Sequence, residues 1–367
     1  MTFHYDKENN LVTISNSILK HFTNKTLNCS NPTLDSILAQ KPYKKIVVIL
    51  FDGLGKSIRE KHLSKNDFLR KKEKIEITSI FPPTTVAATT SFITGQYPNQ
   101  TGWLGWQQLF KQNNLVIEMF TNVNSKTRER IPNPLFSSLY CPYTSIIERI
   151  NQDSNTLAST LHPDSIDKNG AKNLDDFFLR LDQMMKNDKS HFIYAYWNEP
   201  DHLIHLNGTD DYQVKDIVKK INRKVQKISK ENKDNLIIVL ADHSLVNTSF
   251  FYIYEHEDFK NTLSNIISLD SRSCFFHVFP DKKEEFQLLF NKYYKDYFIL
   301  KTKEEVINEK WFGEGENHPL FEDFIGDFMA TSISKYGFTF HQDEALIGAH
   351  AGSLEEESKI MVSIINQ

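Results

Sequence analysis

Cysteine is almost missing from this 367-residue chain: Cys29, Cys141 and Cys274 are an odd number at wide spacings, which excludes a disulfide framework and a CxxC metal clip. Glycine (13) and proline (12) are also scarce, which excludes fibrous and low-complexity classes. Long apolar runs are absent; the longest core-like run, IVVILF, is six residues, against the roughly 18 to 20 needed to cross a bilayer. An excess of one charge is missing as well. The 43 basic and 47 acidic residues leave a net charge of -4, so neither a nucleic-acid duplex nor an anionic membrane has an electrostatic claim on the whole protein. The first residues, MTFHYDKENNLVTISNSILK, lack the basic start and apolar stretch of a secretory signal, which predicts a soluble cytoplasmic protein.

What is present is the pattern of one large α/β protein. Three short apolar runs each end in acid or imidazole groups: KKIVVILFDG in Asp52, HFIYAYWNEPD in Glu199 and Asp201, and NLIIVLADH in Asp242 and His243. Continuous apolar strands separated by helical segments predict a mostly parallel sheet with helices on both faces. YQVKDIVKKINRKVQKISKEN is such a segment, with Val214, Ile217, Val218, Ile221 and Val225 at helical spacing and its lysines on the solvated face. The aromatic stretch SFFYIYEHEDF and the segments after it break this rhythm. The expected organisation is an N-terminal extension (1–40) packing on the core, a catalytic core (41–245 and 318–367), and a small α+β cap (246–317).

In an open α/β sheet the loops at the carboxyl ends of the strands build the binding crevice. Asp52, Asp201, His205, Asp242 and His243 are expected there, and His350 in IGAHAGS completes the inventory. Asp201 and His205 are four apart, so a helical turn presents both on one face. Carboxylates with imidazoles and no thiolate suit Zn2+ or a similar divalent ion. The set is too large for one tetrahedral ion and about right for two, the arrangement used for displacement at phosphorus with ions about 4 Å apart. FPPTTVAATTSFITGQYP supplies hydroxyls beside that crevice. After Pro82 and Pro83 a helix would begin with its free N–H groups facing an anion, and Thr84 or Thr85 would be either an N-cap or a nucleophile.

FDGLG, FPPTTVAATTSFITGQYP with NQTGWLGW, NEPDHLIH, ADHS and GAHAGSLEEE resemble, in order, the motifs of the alkaline phosphatase superfamily, and within it the type I phosphodiesterase/nucleotide pyrophosphatase branch. The resemblance spans about residues 45 to 362 and implies an alkaline-phosphatase-like core. It implies that Asp52, Asp242 and His243 ligate one zinc, shared with the nucleophile, and that Asp201, His205 and His350 ligate a second, with Mn2+ as the other metal to consider. The nucleophilic threonine of that branch lies ten residues before the glycine of its TG-Y-P turn; counting back from Gly95 selects Thr85 as nucleophile and metal ligand. Many nucleotide pyrophosphatases have TFPNH where this chain has TVAAT, so Ala88 stands in place of an amide donor. Thr89 is another polar group that would take its part.

The implied activity is metal-dependent hydrolysis of a small phosphate ester, with a nucleotide among the candidates. A phosphomonoesterase or phosphomutase on the same fold and a non-catalytic binding homologue are the alternatives. Trp103, Trp106 and Phe110 are candidates to stack a planar group, and Arg272 and His277 in SRSCFFHVF are candidates to meet substrate from the cap.

Overall fold

The computed structural model describes residues 6–132, 134–154, 156–186, 189–340 and 346–366. Its central sheet has six strands: β1 (Ile46–Phe51), β2 (Glu73–Thr78), β3 (Leu157–Leu161), β4 (Ser190–Trp197), β5 (Leu236–Leu240) and β6 (Lys359–Ile365), in the order β2-β6-β5-β1-β4-β3. β1 lies between β4 and β5 and is parallel to both. β6 alone runs antiparallel, between β5 and β2. All residues of β1 and β5 are buried, as expected of unbroken β-branched runs covered on both faces. The edge strand β2 instead alternates, with Ile75 and Ile77 buried and Lys74 and Glu76 exposed. The Tyr212–Glu231 helix buries Val214, Val218, Ile221 and Val225 in the core of this sheet.

Two helices cross at the edge where the chemistry is expected. Pro82 and Pro83 precede the Thr85–Thr94 helix, which ends on Gly95 at φ 69°, a left-handed conformation glycine adopts without strain. The N-terminal Leu11–Thr23 helix packs against it and is itself capped by Asn10, whose side chain accepts from the amides of Val12 and Thr13. Ser15 donates to the Phe92 carbonyl and Asn16 to the Gly95 carbonyl (2.8 Å), so the first helix fastens the end of the second.

A second, antiparallel sheet covers this edge. Its order is Phe298–Thr302, Phe328–Ser332, Ser273–Phe276, Ser268–Leu269, Gln107–Phe110, Leu115–Glu118. Three of those strands lie outside the 246–317 segment, because the chain leaves and re-enters the core to complete the sheet. Aromatic packing holds it together: Phe298 stacks on Phe338 at 4.3 Å and Phe286 on Phe328 at 4.8 Å. Among the described residues no helix is long and apolar enough to cross a membrane.

A fully buried ion pair joins the two halves. Arg272 donates through Nε and Nη2 to both carboxylate oxygens of Glu357, at 2.7 and 2.8 Å, and its remaining N–H groups reach the carbonyls of Tyr336 and Ser334. Glu357 also accepts from the amides of Gly352 and Leu354, and Ala351 donates to the Pro83 carbonyl. The loop carrying His350 is thereby pinned. Both members of the pair are 0% exposed, so removing one strands the other charge without solvent. Glu357→Ala is expected to cost about 3–5 kcal/mol of stability, read from the midpoint of denaturant unfolding.

Candidate metal centre and active site

The ends of β1, β4 and β5 are stitched together by their own backbone. The Asp52 amide donates to the Trp197 carbonyl at 2.9 Å, and the Asp201 amide donates to the Asp52 carbonyl at 3.1 Å. The Gly53 amide donates to Asp242 Oδ1 at 3.1 Å. Gly53 sits at φ 72°, and a Cβ there would lie 2.9 Å from the Asp201 Cα, so only glycine lets the neighbouring strand end come this close. Three carboxylates are thus brought side by side.

They sort into two groups. In the first, Asp52, Asp242 and His243 are all buried, with one donor atom from each within 4.8 Å of the others. His243 Nε2 lies 3.4 Å from Asp52 Oδ1 and 3.5 Å from Asp242 Oδ2. In the second, the Asp201–Asn207 helix places Asp201 and His205 one turn apart, His205 Nε2 being 3.3 Å from Asp201 Oδ2, and the pinned loop adds His350 at 3.9 Å from Asp201 Oδ1. The His205 Nδ1 faces the Gly348 carbonyl at 2.8 Å, a pure acceptor, so Nδ1 carries a proton and Nε2 is the nitrogen available to a ligand. The rings of His243 and His350 are 4.0 Å apart between centroids, so the two groups abut.

The protein's own charges do not balance here. Burial pushes the Asp52 carboxyl well above its ordinary range, and the neighbouring Asp242 and Asp201 push it further. Burial raises Asp242 as well. Asp201 is buried too, yet His205 and His350 hold it below the usual carboxylate range; in return Asp201 outweighs the burial of His205 and lifts its imidazole to about 9. Asp201 Oδ1 and Asp242 Oδ2 are buried without a hydrogen-bond partner. Unsatisfied carboxylate oxygens with converging imidazole nitrogens fit divalent cations, one per group.

Thr85 opens its helix directly beside the first group. Its Oγ1 lies 3.0 Å from His243 Nε2 and 3.4 Å from each Asp52 oxygen. Thr84 holds the N-cap position, but its hydroxyl caps nothing: it donates to Asp270 Oδ2 at 2.7 Å. The Thr89 hydroxyl is committed to the Thr85 carbonyl at 2.6 Å, so it does not supply the donor that Ala88 lacks. The first amides of the helix remain for that purpose, since no preceding carbonyl is available to them.

Thr85, Asp201, His205 and His350 line one side of a cavity of about 720 Å³, with Trp106, Phe250, Phe338, Arg128 and Asp270 among its other walls. Of the substrate contacts expected from sequence, Trp106 alone reaches it. Trp103 donates its indole N–H to the Cys141 carbonyl at 2.8 Å and lines a separate 420 Å³ pocket with Phe120 and Tyr143. Phe110 is core, packed on Phe136 and Phe324. Arg272 is corrected from a substrate contact to the structural partner of Glu357. His277 is corrected likewise: it is buried, bonded to Ser268 Oγ at 2.9 Å, and burial pulls its imidazole down to about 4.

Sequence reasoning missed Tyr196, Asp270 and Arg128. Tyr196 donates its hydroxyl to Asp52; its place in β4, one residue before Trp197 at the strand end, was the available signal. Asp270 lies two residues before Arg272, one residue ahead of the SRSCFFHVF segment. Arg128 had no signal beyond its charge.

No curated protein matches this chain. Murine ectonucleotide pyrophosphatase/phosphodiesterase 5 superposes with a TM-score of 0.66 over 88% of each chain at 15% identity. An inactive form of that protein in complex with AMP gives 0.65 over 87% of each chain, also at 15% identity. Phosphonoacetate hydrolase from Sinorhizobium meliloti 1021, solved with phosphonoacetate, gives 0.66 over 89% of this chain and 90% of its own at 11% identity. At such identities the likeness is one of fold. The sequence carries the rest: the family model for type I phosphodiesterase/nucleotide pyrophosphatase matches residues 46–353, a span holding all six clustered side chains and Thr85. The chain belongs to that family, within the alkaline phosphatase superfamily, and is a phosphoester hydrolase.

Proposed function

We propose that this protein hydrolyses phosphodiesters, nucleotide-type esters among them, using Thr85 as nucleophile at a site for two zinc-class ions. The observation carrying this reading is the position of Thr85 Oγ1, at a helix N-terminus, 3.0 Å from His243 and open to the cavity. Asp52, Asp242 and His243 would hold one ion and Asp201, His205 and His350 the other, Zn2+ or Mn2+ by the chemistry of the donors. Bound there, such ions would lower the pKa of the Thr85 hydroxyl and of a water and would offset charge on the leaving oxygen.

The chain's own groups do the aiming. Asp52 and His243 hold the Thr85 oxygen on two sides, and the helix amides meet the phosphoryl oxygens where negative charge accumulates. The Thr85 oxygen bonds to phosphorus, the ester oxygen opposite leaves, and water then cleaves the phosphothreonine to restore the hydroxyl. The cavity extends from this point between Trp106 and the Phe250, Phe338 wall, which gives a planar or apolar ester group a place to lie. Supporting a reducing compartment such as the cytoplasm, Cys29, Cys141 and Cys274 are all unpaired.

Bis-p-nitrophenyl phosphate is expected to be turned over in preference to p-nitrophenyl phosphate, and a chelator is expected to abolish the activity; a chelator-resistant activity overturns the two-ion reading. Thr85→Ala should lower kcat at least about a thousandfold while metal content stays intact, and full activity in that variant would sink the nucleophile assignment. His350→Ala should bring the metal content from two ions per chain towards one, measured by elemental analysis of the purified protein.

A further inference from the structure

The second sheet sends one carboxylate to the phosphoryl end of the cavity. Asp270 follows the Ser268–Leu269 strand, where Leu269 adopts φ 86°, a conformation that bulky residues hold only when their surroundings enforce it. The enforcement is visible: a Cβ on Gly105 would lie 2.8 Å from both the Leu269 carbonyl oxygen and its Cδ1, and Leu269 pairs with Cys274 on one side and Gln107 on the other. The turn that follows is closed by the Asp270 amide donating to the Ser273 carbonyl at 2.9 Å. Strain at this point delivers the Asp270 side chain into the cavity wall.

Its two oxygens are occupied by two donors. Burial pushes the Asp270 carboxyl above its ordinary range; against this, the Thr84 hydroxyl donates to Oδ2 and the Ser271 amide to Oδ1, both at 2.7 Å, and each bond favours the charged carboxylate. Thr84 is the immediate neighbour of Thr85, so the charge stands one residue from the nucleophile. It also lies within electrostatic reach of His205 and His243, one from each ligand group. Among the described residues, the lysine and arginine content of the cavity lining is Arg128, which pairs with Glu118 at 3.3 Å. Asp270 therefore brings a hydrogen-bonded carboxylate to the wall of the cavity that Thr85 also lines.

We propose that Asp270 is a specificity-determining residue, a fixed negative charge that admits the single charge of a phosphodiester and turns away the second charge of a phosphate monoester. This rests on the hydrolase reading given above. A phosphate monoester carries between one and two negative charges near neutrality and two in mild alkali, whereas a diester keeps one, with both remaining positions esterified. Juxtaposed like charges weaken association, so the cost falls on the monoester. Asp270 makes no covalent step; its work is selection.

The test is Asp270→Asn, which removes the charge and keeps the volume, with Asp270→Ser as a second charge-removing variant should the first not fold. The ratio of kcat/KM for p-nitrophenyl phosphate to that for bis-p-nitrophenyl phosphate should rise about tenfold, and the affinity for inorganic phosphate, measured by calorimetry at pH 8, should rise by a similar factor. A merely structural role would lower both activities together and leave the ratio and the phosphate affinity in place; that result overturns the proposal. So does a wild-type protein that takes monoesters as readily as diesters. If the wild type cleaves neither ester while the variant gains phosphate affinity, the hydrolase reading fails and the role of Asp270 stands.

Discussion

Three carboxylates, Asp52, Asp201 and Asp242, are held together at the ends of three neighbouring strands, and their mutual repulsion in a buried place is the constraint the rest of the site serves. Left alone, such a cluster opposes folding, since each charge loses water and meets a like charge. Backbone hydrogen bonds between the strand ends, and a glycine at position 53 that permits their approach, keep it closed. Partial relief comes from histidine: His205 and His350 beside Asp201, and His243 beside Asp52 and Asp242. A divalent cation bound by these residues would supply the remainder.

Everything else is arranged around the receptor. The Thr85–Thr94 helix presents its positive end and one hydroxyl to it, and the N-terminal helix secures the far end of that element through Ser15 and Asn16. The loop bearing His350 has no regular structure of its own to fix it. Arg272, just before the Ser273–Phe276 strand, and Glu357, in the Glu355–Ser358 helix that leads into β6, do that work, which explains why an arginine among cap residues is wholly buried. The second sheet is thus more than a cover: it locks the His350 loop in place and contributes the carboxylate at Asp270.

Much of the core was legible in the chain. β1, β4 and β5 are continuous apolar runs whose burial on both faces forces a parallel sheet, and a parallel sheet collects the residues after its strands at one edge. The substrate wall was not legible. Trp103 and Trp106 lie three residues apart in one aromatic segment, yet one packs over a separate pocket and the other faces the cavity. His277 and Arg272 look alike from sequence, polar groups flanking one aromatic strand, yet both are buried, Arg272 against Glu357 and His277 against Ser268. Side-chain direction in such a sheet depends on strand pairings, which period-two alternation within one strand does not specify.

The amino-acid order by itself determined which residues stand at the strand ends, that Asp201 and His205 share a helix face, and that a helix begins after Pro82 and Pro83, because each follows from local periodicity and from where proline and glycine stop an element. The tertiary structure alone decided that Thr84 turns its hydroxyl to Asp270 rather than to its own helix, and that Arg272 serves Glu357. Those contacts join segments far apart in sequence, and their partners are selected by packing and by the need to satisfy buried charge, neither of which is written in any local stretch.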